Sequence, residues 1–177
     1  MKRKNIKEEI RRFFSIYPTS RLRVRQMERE LNLPLPSVIR YCKELEKENI
    51  LKKEKISNIY LYSADRSSKS YLFEKRLFNV KLLFESGLVD HLIKEYSNPT
   101  ILLFGSYSKG EDIEKSDIDL YVETPKKHDF NLQKFEKILN RRIQIFNYKN
   151  INDITNPHLS NNIVNGIILN GFLEVFK

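Results

Sequence analysis

Apolar side chains in the first third of the chain recur at the spacing of three short helices. In the first segment, from Ile6 to Phe14, they fall three and four positions apart, which predicts a helix that Pro18 ends. The same spacing predicts a second helix over 24–31. After the proline-containing break at 33–36, a third helix follows, for which Ser37 is the candidate N-cap.

The pattern changes to alternation after the third helix. Segments 50–56 and 58–62 each alternate in polarity, and Ser57-Asn58 between them is typical of a turn. The sequence therefore predicts three helices followed by a hairpin.

The rest of the chain combines helical and strand-like patterns. From 70 to 96 the apolar spacing predicts one or two amphipathic helices, with Gly87 as a candidate break. The apolar run 100–104 is typical of a buried strand, and 116–122 alternates between polar and apolar residues. These patterns together indicate an α+β protein.

Composition excludes several classes of protein. The 177 residues contain one cysteine, Cys42, so a disulfide scaffold is excluded and a reducing, cytoplasmic location is expected. No apolar run approaches the roughly 18 residues that a membrane-spanning helix needs, so we expect no membrane segment.

The positive charge is concentrated near the N-terminus. The net charge is +9, yet residues 1–64 hold 16 Lys and Arg against 8 Asp and Glu, and residues 65–177 are nearly neutral. The polar run 63–70 is consistent with a linker. We therefore predict a basic domain over 1–64, a helical connector over 65–98 and a second domain over 99–177.

The basic third resembles a winged helix-turn-helix domain. The resemblance rests on the three helices, the basic hairpin and the stretch 33–51, which is similar to the recognition helix of winged-helix regulators. It implies binding of double-stranded DNA through the following residues: Ser37, Arg40, Tyr41, Lys43, Lys52, Lys53 and Lys55. The alternative is a module for protein contacts whose basic side chains are only solvated.

Two aspartates follow a glycine-serine turn in the second domain. Asp117 and Asp119 are predicted on one face of a strand, about 7 Å apart, where carboxylates can bind Mg²⁺ together with phosphate oxygens. Gly105 allows close approach of backbone N–H groups to a phosphate, and Ser106 adds a hydroxyl donor. A P-loop is excluded because Glu111 follows Gly110 where lysine is required. A calcium loop is excluded as well, because Tyr121-Val122 replace the third ligand and the required glycine.

The segment 104–111, its spacing to Asp117 and the Asp117-Ile-Asp119 motif resemble the minimal nucleotidyltransferases of the polymerase beta superfamily. The resemblance extends from about residue 100 to the C-terminus, with a closing helix over 159–169 and a last strand over 172–176. It implies a small α/β domain with a mixed sheet that transfers a nucleoside monophosphate from an NTP, with ATP preferred, to a hydroxyl. Gly105 and Ser106 would hold the triphosphate, Lys109 could approach it or be an ordinary surface lysine, and Asp117 and Asp119 would bind Mg²⁺.

The chain departs from this pattern at one position. Members of the superfamily usually carry a third carboxylate on a later strand, and Gln144 stands where that acid is expected. Other acids nearby in sequence, Asp129, Glu136 and Asp153, do not lie in a comparable strand. Two hypotheses remain open. One is an active, DNA-binding transferase, which by resemblance could be an antitoxin acting on a partner toxin. The other is a catalytically impaired regulator that binds DNA and nucleotide. For either, a homodimer is our preference.

Overall fold

The protein packs as two compact units. The computed structural model describes residues 5–125 and 131–176. The units are Met1–Phe78 and Asn79–Lys177, and each is described by itself below. The domain boundaries at 64 and 98 stay predictions, because compact packing does not test whether a segment folds independently.

The first unit contains three helices, a small sheet and the beginning of a fourth helix. Its elements, in chain order, are α1 (Ile6–Ile16), β1 (Arg21–Leu22), α2 (Val24–Leu31), α3 (Leu35–Lys47), β2 (Leu51–Ile56), β3 (Ile59–Ala64) and the first part of α4 (Lys69–Glu85). The predicted bounds of α2 are confirmed. The hairpin is confirmed as well, with Ser57 at its turn in the left-handed region (φ 55°).

The predicted start of the third helix is wrong. α3 begins at Leu35 with Pro34 as its N-cap residue, and Ser37 lies inside the first turn, where its N–H donates to the Pro34 carbonyl at 3.0 Å. Pro36 fits in that turn because the first N–H groups of a helix have no partner within the helix and because its φ is already helical. The prolines therefore start the helix instead of separating it from the preceding loop.

The sheet of the first unit has three antiparallel strands in the order β1-β3-β2. Strand β1, which has only two residues, was not predicted, because such a segment shows no alternation that a pattern could detect. Apolar residues from the helices and strands, among them Ile10, Phe14, Val38, Leu45 and Leu51, form one buried core.

One face of α4 is buried at every fourth residue, at Tyr71, Lys75, Asn79 and Leu83. In the first unit, the Tyr71 hydroxyl donates to the Phe14 carbonyl at 2.9 Å. The Lys75 ammonium donates to the Ser15 carbonyl, also at 2.9 Å. Both carbonyls belong to the last turn of α1, where backbone acceptors have no partner within the helix and a cation is favoured.

The second unit is built on a four-stranded sheet. Its elements after α4 are α5 (Leu88–Glu95), β4 (Thr100–Phe104), α6 (Gly105–Lys109), β5 (Ile118–Glu123), α7 (Gln133–Leu139), β6 (Ile143–Tyr148), a 3₁₀ turn (Ile151–Asp153), α8 (Pro157–Val164) and β7 (Ile167–Asn170). The strand order is β6-β5-β4-β7, with β5 and β6 parallel and the other pairs antiparallel. The α+β class with a mixed sheet is therefore confirmed.

The sheet of the second unit is covered on both faces. Ile118, Leu120 and Val122 of β5 pack in a cluster with apolar residues of α4, α5 and α7. Tyr121, between them in sequence, belongs to a second cluster with residues of the 3₁₀ turn and α8 such as Ile163. Period-two alternation along β5 thus assigns its odd-numbered positions, including Asp119, to the α8 face.

The predicted C-terminal elements are wrong in their bounds. The closing helix ends at Val164 instead of 169, and the last strand is β7 at Ile167–Asn170 instead of 172–176. A Cβ on Gly166 would lie 2.6 Å from the Leu103 carbonyl oxygen, so the chain passes directly against β4 at this glycine. It then pairs with β4, and Phe172 and Phe176 remain exposed.

Across the described ranges, 5–125 and 131–176, no helix combines the length and the apolar character needed to span a membrane.

Candidate functional site

Two aspartates lie at the start of β5. Asp119 is within the strand and partly exposed, whereas Asp117 is exposed and precedes the strand, which was predicted to include it. The ladder to β6 begins one residue later, where the Ile118 N–H donates to the Arg142 carbonyl at 2.8 Å. Asp117 and Asp119 nevertheless lie close enough for the charge of Asp117 to act on the Asp119 carboxyl, and their shared face stays a prediction.

Gly105 lies directly against the carboxylate of Asp119. Its φ is +73°, in the left-handed region, and a Cβ built on it would overlap the Asp119 Oδ2 atom. Any other residue at this position would therefore be strained and would displace the carboxylate. The glycine of the turn and the second aspartate of the motif form one contact, although they are separated in sequence.

The electrostatics of the two carboxylates favour a bound cation. Burial raises the pKa of Asp119, and the charge of Asp117 raises it further. A cation between the two carboxylates would remove this repulsion and replace the lost hydration. In the part of the chain that the structure describes, no group of three or more His, Cys, Asp and Glu side chains could hold a metal ion by itself. The two oxygen donors fit Mg²⁺, which typically binds one or two carboxylates and takes its other ligands from phosphates and water.

The short helix α6 carries the other predicted phosphate ligands. It begins immediately after β4, and its Ser106 is partly exposed while Lys109 at its end is exposed. Tyr107 and Ser108 are buried, and the Ser108 hydroxyl donates to the Gly105 carbonyl at 2.8 Å. Of the four residues after Gly105, the structure thus leaves Ser106 and Lys109 accessible to a ligand.

A buried polar network below α6 was not predicted. The Asn79 side-chain amide donates to the Tyr107 carbonyl at 2.9 Å and to the Asp112 carboxylate at 2.7 Å. Asp112 is fully buried and faces the Arg141 guanidinium at 3.6 Å. The network connects α4, α6 and the start of β6. The sequence signal for it was a polar residue, Asn79, flanked by the apolar residues Phe78 and Val80.

Gln144 occupies the neighbouring strand beside Asp119. The two residues are partners in the parallel register of β5 and β6, and Gln144 is exposed. Two of the alternative acids are engaged elsewhere: Glu136 accepts from the Ile143 N–H at 3.0 Å, and Asp153 accepts from the Asn150 N–H at 3.2 Å. Asp129 lies outside the described residues. The side chain beside Asp119 is therefore an amide.

The helix residues predicted to contact DNA lie along α3 in the first unit. Arg40 and Lys43 are exposed, whereas Ser37 and Tyr41 are partly exposed. The Arg40 guanidinium lies over the Tyr41 ring at 4.3 Å and reaches Glu44 at 3.8 Å. Arg40 is thus held at the surface by local contacts that leave part of its guanidinium accessible.

The hairpin lysines divide between the two faces of β2. Lys53 and Lys55 lie over the exposed ring of Tyr60, at 4.2 and 5.9 Å from its centroid. Lys52 instead pairs with Glu54 at 2.7 Å on the opposite face. The face with Tyr60 is therefore the more positive one.

Comparison with known proteins agrees with the geometry of the second unit. A family model described as a nucleotidyltransferase domain matches residues 86–170, the range that holds Gly105, Asp117 and Asp119. A protein of Methanocaldococcus jannaschii named as a protein adenylyltransferase is 32% identical to this chain over an alignment of 81 residues. The alignment covers 42% of this chain and 78% of that protein. No solved structure matches the chain significantly.

Proposed function

The chain belongs to the nucleotidyltransferase domain family, and on that premise we propose that it transfers a nucleoside monophosphate from ATP to a hydroxyl of a protein. The observation that carries the proposal is the contact of Gly105 with the Asp119 carboxylate. This contact brings a turn suited to phosphates next to a pair of carboxylates suited to a metal ion. A protein acceptor is favoured by the name of the Methanocaldococcus jannaschii relative, a protein adenylyltransferase.

The proposed reaction is a single displacement at the α-phosphorus. The acceptor oxygen bonds to the α-phosphorus, the bond to the bridging oxygen breaks, and pyrophosphate leaves with that electron pair. Ser106 donates a hydrogen bond to the triphosphate, and Lys109 offsets its charge. Asp117 and Asp119 would hold the cation that offsets the negative charge next to the α-phosphate.

Domains of this family generally use a divalent metal ion with an NTP, and Mg²⁺ is the ion that we propose here. Asp117 and Asp119 would hold it, as the two-oxygen donor set fits. When bound, Mg²⁺ neutralises charge on the phosphates.

Proton removal from the acceptor is the weak point of this site. Gln144 cannot accept a proton at neutral pH, and the hydroxyl proton therefore goes to water. Slow transfer is the expected consequence. The second candidate function, a regulator that binds nucleotide without turnover, is favoured by this same residue.

Radiolabelled ATP distinguishes the two candidates. The chain is incubated with Mg²⁺, labelled ATP and candidate protein acceptors, beside an Asp117→Asn/Asp119→Asn variant. Transfer of label that the variant abolishes supports the enzyme. Binding of Mg-ATP by the unaltered chain without any transfer supports the regulator. If the unaltered chain neither binds Mg-ATP nor transfers label, both candidates are contradicted.

For the first unit, we propose a winged helix-turn-helix that binds double-stranded DNA. The support is the positive face formed by Lys53, Lys55 and Tyr60 on the hairpin, together with exposed Arg40 and Lys43 on α3. Lysines on a hairpin contact phosphates without reading sequence, whereas an exposed helix can reach base edges. Two copies would read two half-sites if the chain is a homodimer.

A salt titration tests the DNA proposal. Binding to a duplex is measured at several salt concentrations for the unaltered chain, Arg40→Ala and Lys53→Ala, with Lys47→Ala as a control on an exposed lysine outside the proposed surface. Lys53→Ala is expected to lower the slope of log affinity against log salt by about one. Binding that is absent, or that does not respond to salt, contradicts the proposal.

An antitoxin role is the biological setting that we propose for the transfer, with a partner toxin as the acceptor. A toxin encoded beside this chain, labelled by it and inactivated on labelling, is the expected finding. A labelled partner that keeps its full activity contradicts the antitoxin role and leaves the transfer intact.

A further inference from the structure

A cavity of about 690 Å³ opens beside Asp117 in the second unit. It is lined by the segment before β5, by one side of α7 and by the residues that lead into β6. The volume is in the range of small-ligand pockets. Because Ser116 and Asp117 form part of its wall, a group bound in the cavity lies next to the proposed metal ligand.

Three exposed cations line this cavity, namely Lys115, Lys137 and Arg142. None of them has an ion-pair partner among residues 5–125 and 131–176. Arg142 is also placed by the sheet. Extending the register Asp119–Gln144 by two residues sets Arg142 next to Asp117, and the Arg142 carbonyl accepts from the Ile118 N–H.

Carboxylates are interspersed among the cations. Glu114 and Glu136 line the same cavity, and Glu136 accepts from the Ile143 N–H. A continuous polyanion, such as a nucleic acid strand, would be repelled by Glu114, Glu136 and Asp117 as it crossed the cavity. A polypeptide with separate carboxylates can place each one at a cation and its neutral hydroxyl side chain at Asp117.

We infer that this cavity is the acceptor site and that the acceptor is an acidic polypeptide segment, in which a hydroxyl side chain is flanked by Asp or Glu. The inference rests on the proposed transfer from ATP and names its substrate class. Lys115, Lys137 and Arg142 bind the flanking carboxylates. The hydroxyl oxygen forms the bond to the α-phosphorus, pyrophosphate leaves with the electrons of the broken bond, and the hydroxyl proton passes to water.

The test uses the full chain and matched labelled peptides. One peptide carries a single tyrosine flanked by Asp and Glu, and the other replaces those acids by Asn and Gln. The site variant is Lys137→Glu/Arg142→Glu. The control is Lys134→Glu, one turn before Lys137 on α7, which lies over the Phe135 ring and outside the cavity. Binding is measured by fluorescence anisotropy without ATP, and transfer with Mg-ATP. Thermal unfolding checks that each variant is folded.

We expect the unaltered chain and Lys134→Glu to bind the acidic peptide at least about tenfold tighter than the amide peptide, and the site variant to lose that preference. In the transfer assay, the site variant raises KM for the acidic peptide about tenfold and leaves KM for ATP unchanged. Equal binding of both peptides by the unaltered chain overturns the inference. So does a charge preference that survives in the site variant.

A single-stranded oligonucleotide provides the remaining comparison. Three results together would identify a nucleic acid as the acceptor: the oligonucleotide binds to the unaltered chain, the site variant does not bind it, and neither peptide binds. That outcome overturns the inference. Failure of the proposed function is recognised separately. Charge-selective peptide binding without any transfer refutes the transfer and supports the cavity as a binding site. Transfer without charge-selective peptide binding supports the proposed transfer and refutes the acidic acceptor.

Discussion

Asp119 and Gln144 are direct partners in the parallel register of β5 and β6. The amide of Gln144 therefore lies where a carboxylate on β6 would complete a group of three acids. An amide oxygen can bind a metal ion or a water molecule, but it brings no negative charge and accepts no proton at neutral pH. Among the described residues, the site keeps the proposed phosphate and metal ligands, and the residue at this position of β6 is not a base.

Restoring the acid should speed the transfer. Gln144→Asp is expected to raise kcat for nucleotide transfer at least about tenfold, since a positioned general base typically contributes 10²–10⁴-fold. Gln144→Ala is the control for loss of the amide, and its rate should stay within about threefold of the unaltered chain. A Gln144→Asp rate equal to or below that of Gln144→Ala would contradict the assigned role of this position.

Alanine substitutions at Gly105 and Gly87 should separate the effect of backbone strain from that of a steric clash with Asp119. Gly105→Ala and Gly87→Ala both place alanine at a left-handed φ, +73° and +75°, but only the former places its Cβ against Asp119. Each should lose about 1–2 kcal/mol of unfolding free energy from backbone strain. Only Gly105→Ala should also weaken Mg-ATP binding, by at least about tenfold, as measured by calorimetry. Equal affinities in the two variants would show that the contact does not matter for binding.

Removing the buried charge below α6 should destabilise the second unit. Asp112→Asn leaves the Arg141 guanidinium buried without its carboxylate, which typically costs about 3–5 kcal/mol of unfolding free energy. Asp90→Asn, an exposed aspartate in the first turn of α5, is the control and should cost at most about 1 kcal/mol. Urea unfolding measures both. Similar losses in the two variants would show that the buried pair adds no stability.

The stability contributed by Glu48 should depend on pH. Hydrogen bonds from Lys7 at 2.5 Å and from Arg11 at 2.8 Å lower the pKa of Glu48. A lowered folded-state pKa gives stability that is complete above the unfolded-state pKa and disappears as the pH falls through the folded-state value. Because Glu48 is 38% exposed, Glu48→Gln should cost at most about 1 kcal/mol at pH 7.

Chemical denaturation of this variant at pH 7 and pH 3 checks the direction. The difference from the unaltered chain should shrink at the lower pH, and Glu30→Gln, at an exposed position on α2, should show no such change. If the difference in unfolding free energy between Glu48→Gln and the unaltered chain grew on acidification, the prediction would be contradicted.

The thiol of Cys42 should be unreactive while the first unit is folded. It is fully buried, and burial, with the charge of Glu46 as a smaller contribution, raises its pKa to about 12. Because the thiolate is the reactive form, labelling by a disulfide reagent at pH 8 should be at least about 100-fold slower in buffer than in guanidinium chloride. Equal rates in the two solvents would mean that this core opens freely.

Local patterns in the sequence were sufficient for most elements of the fold. Alternation and helical spacing identify β4, β5 and α2, since each presents one apolar face or an apolar run. The same patterns failed at the C-terminus, where the chain leaves α8 at Gly166. That exit is determined by the backbone of β4, a partner distant in sequence.

The candidate site, like the fold, was predicted only where the signal is local in sequence. The motif predicted Asp117 and Asp119, and the resemblance to the superfamily singled out Gln144, which the structure sets beside Asp119. The network of Asn79, Asp112 and Arg141 could not be predicted, because its members come from α4, from the loop after α6 and from the residues before β6, whose proximity depends on packing. The cavity beside Asp117 was missed for the same reason.

The capping of α1 by Tyr71 and Lys75 determines where the chain can be cut. A fragment that ends at residue 64 would lose both donors and expose the carbonyls of Phe14 and Ser15, together with the apolar surface that Tyr71 covers. A fragment that ends at Phe78 keeps them. Limited proteolysis should therefore release a stable N-terminal piece only if the protease spares the first turns of α4.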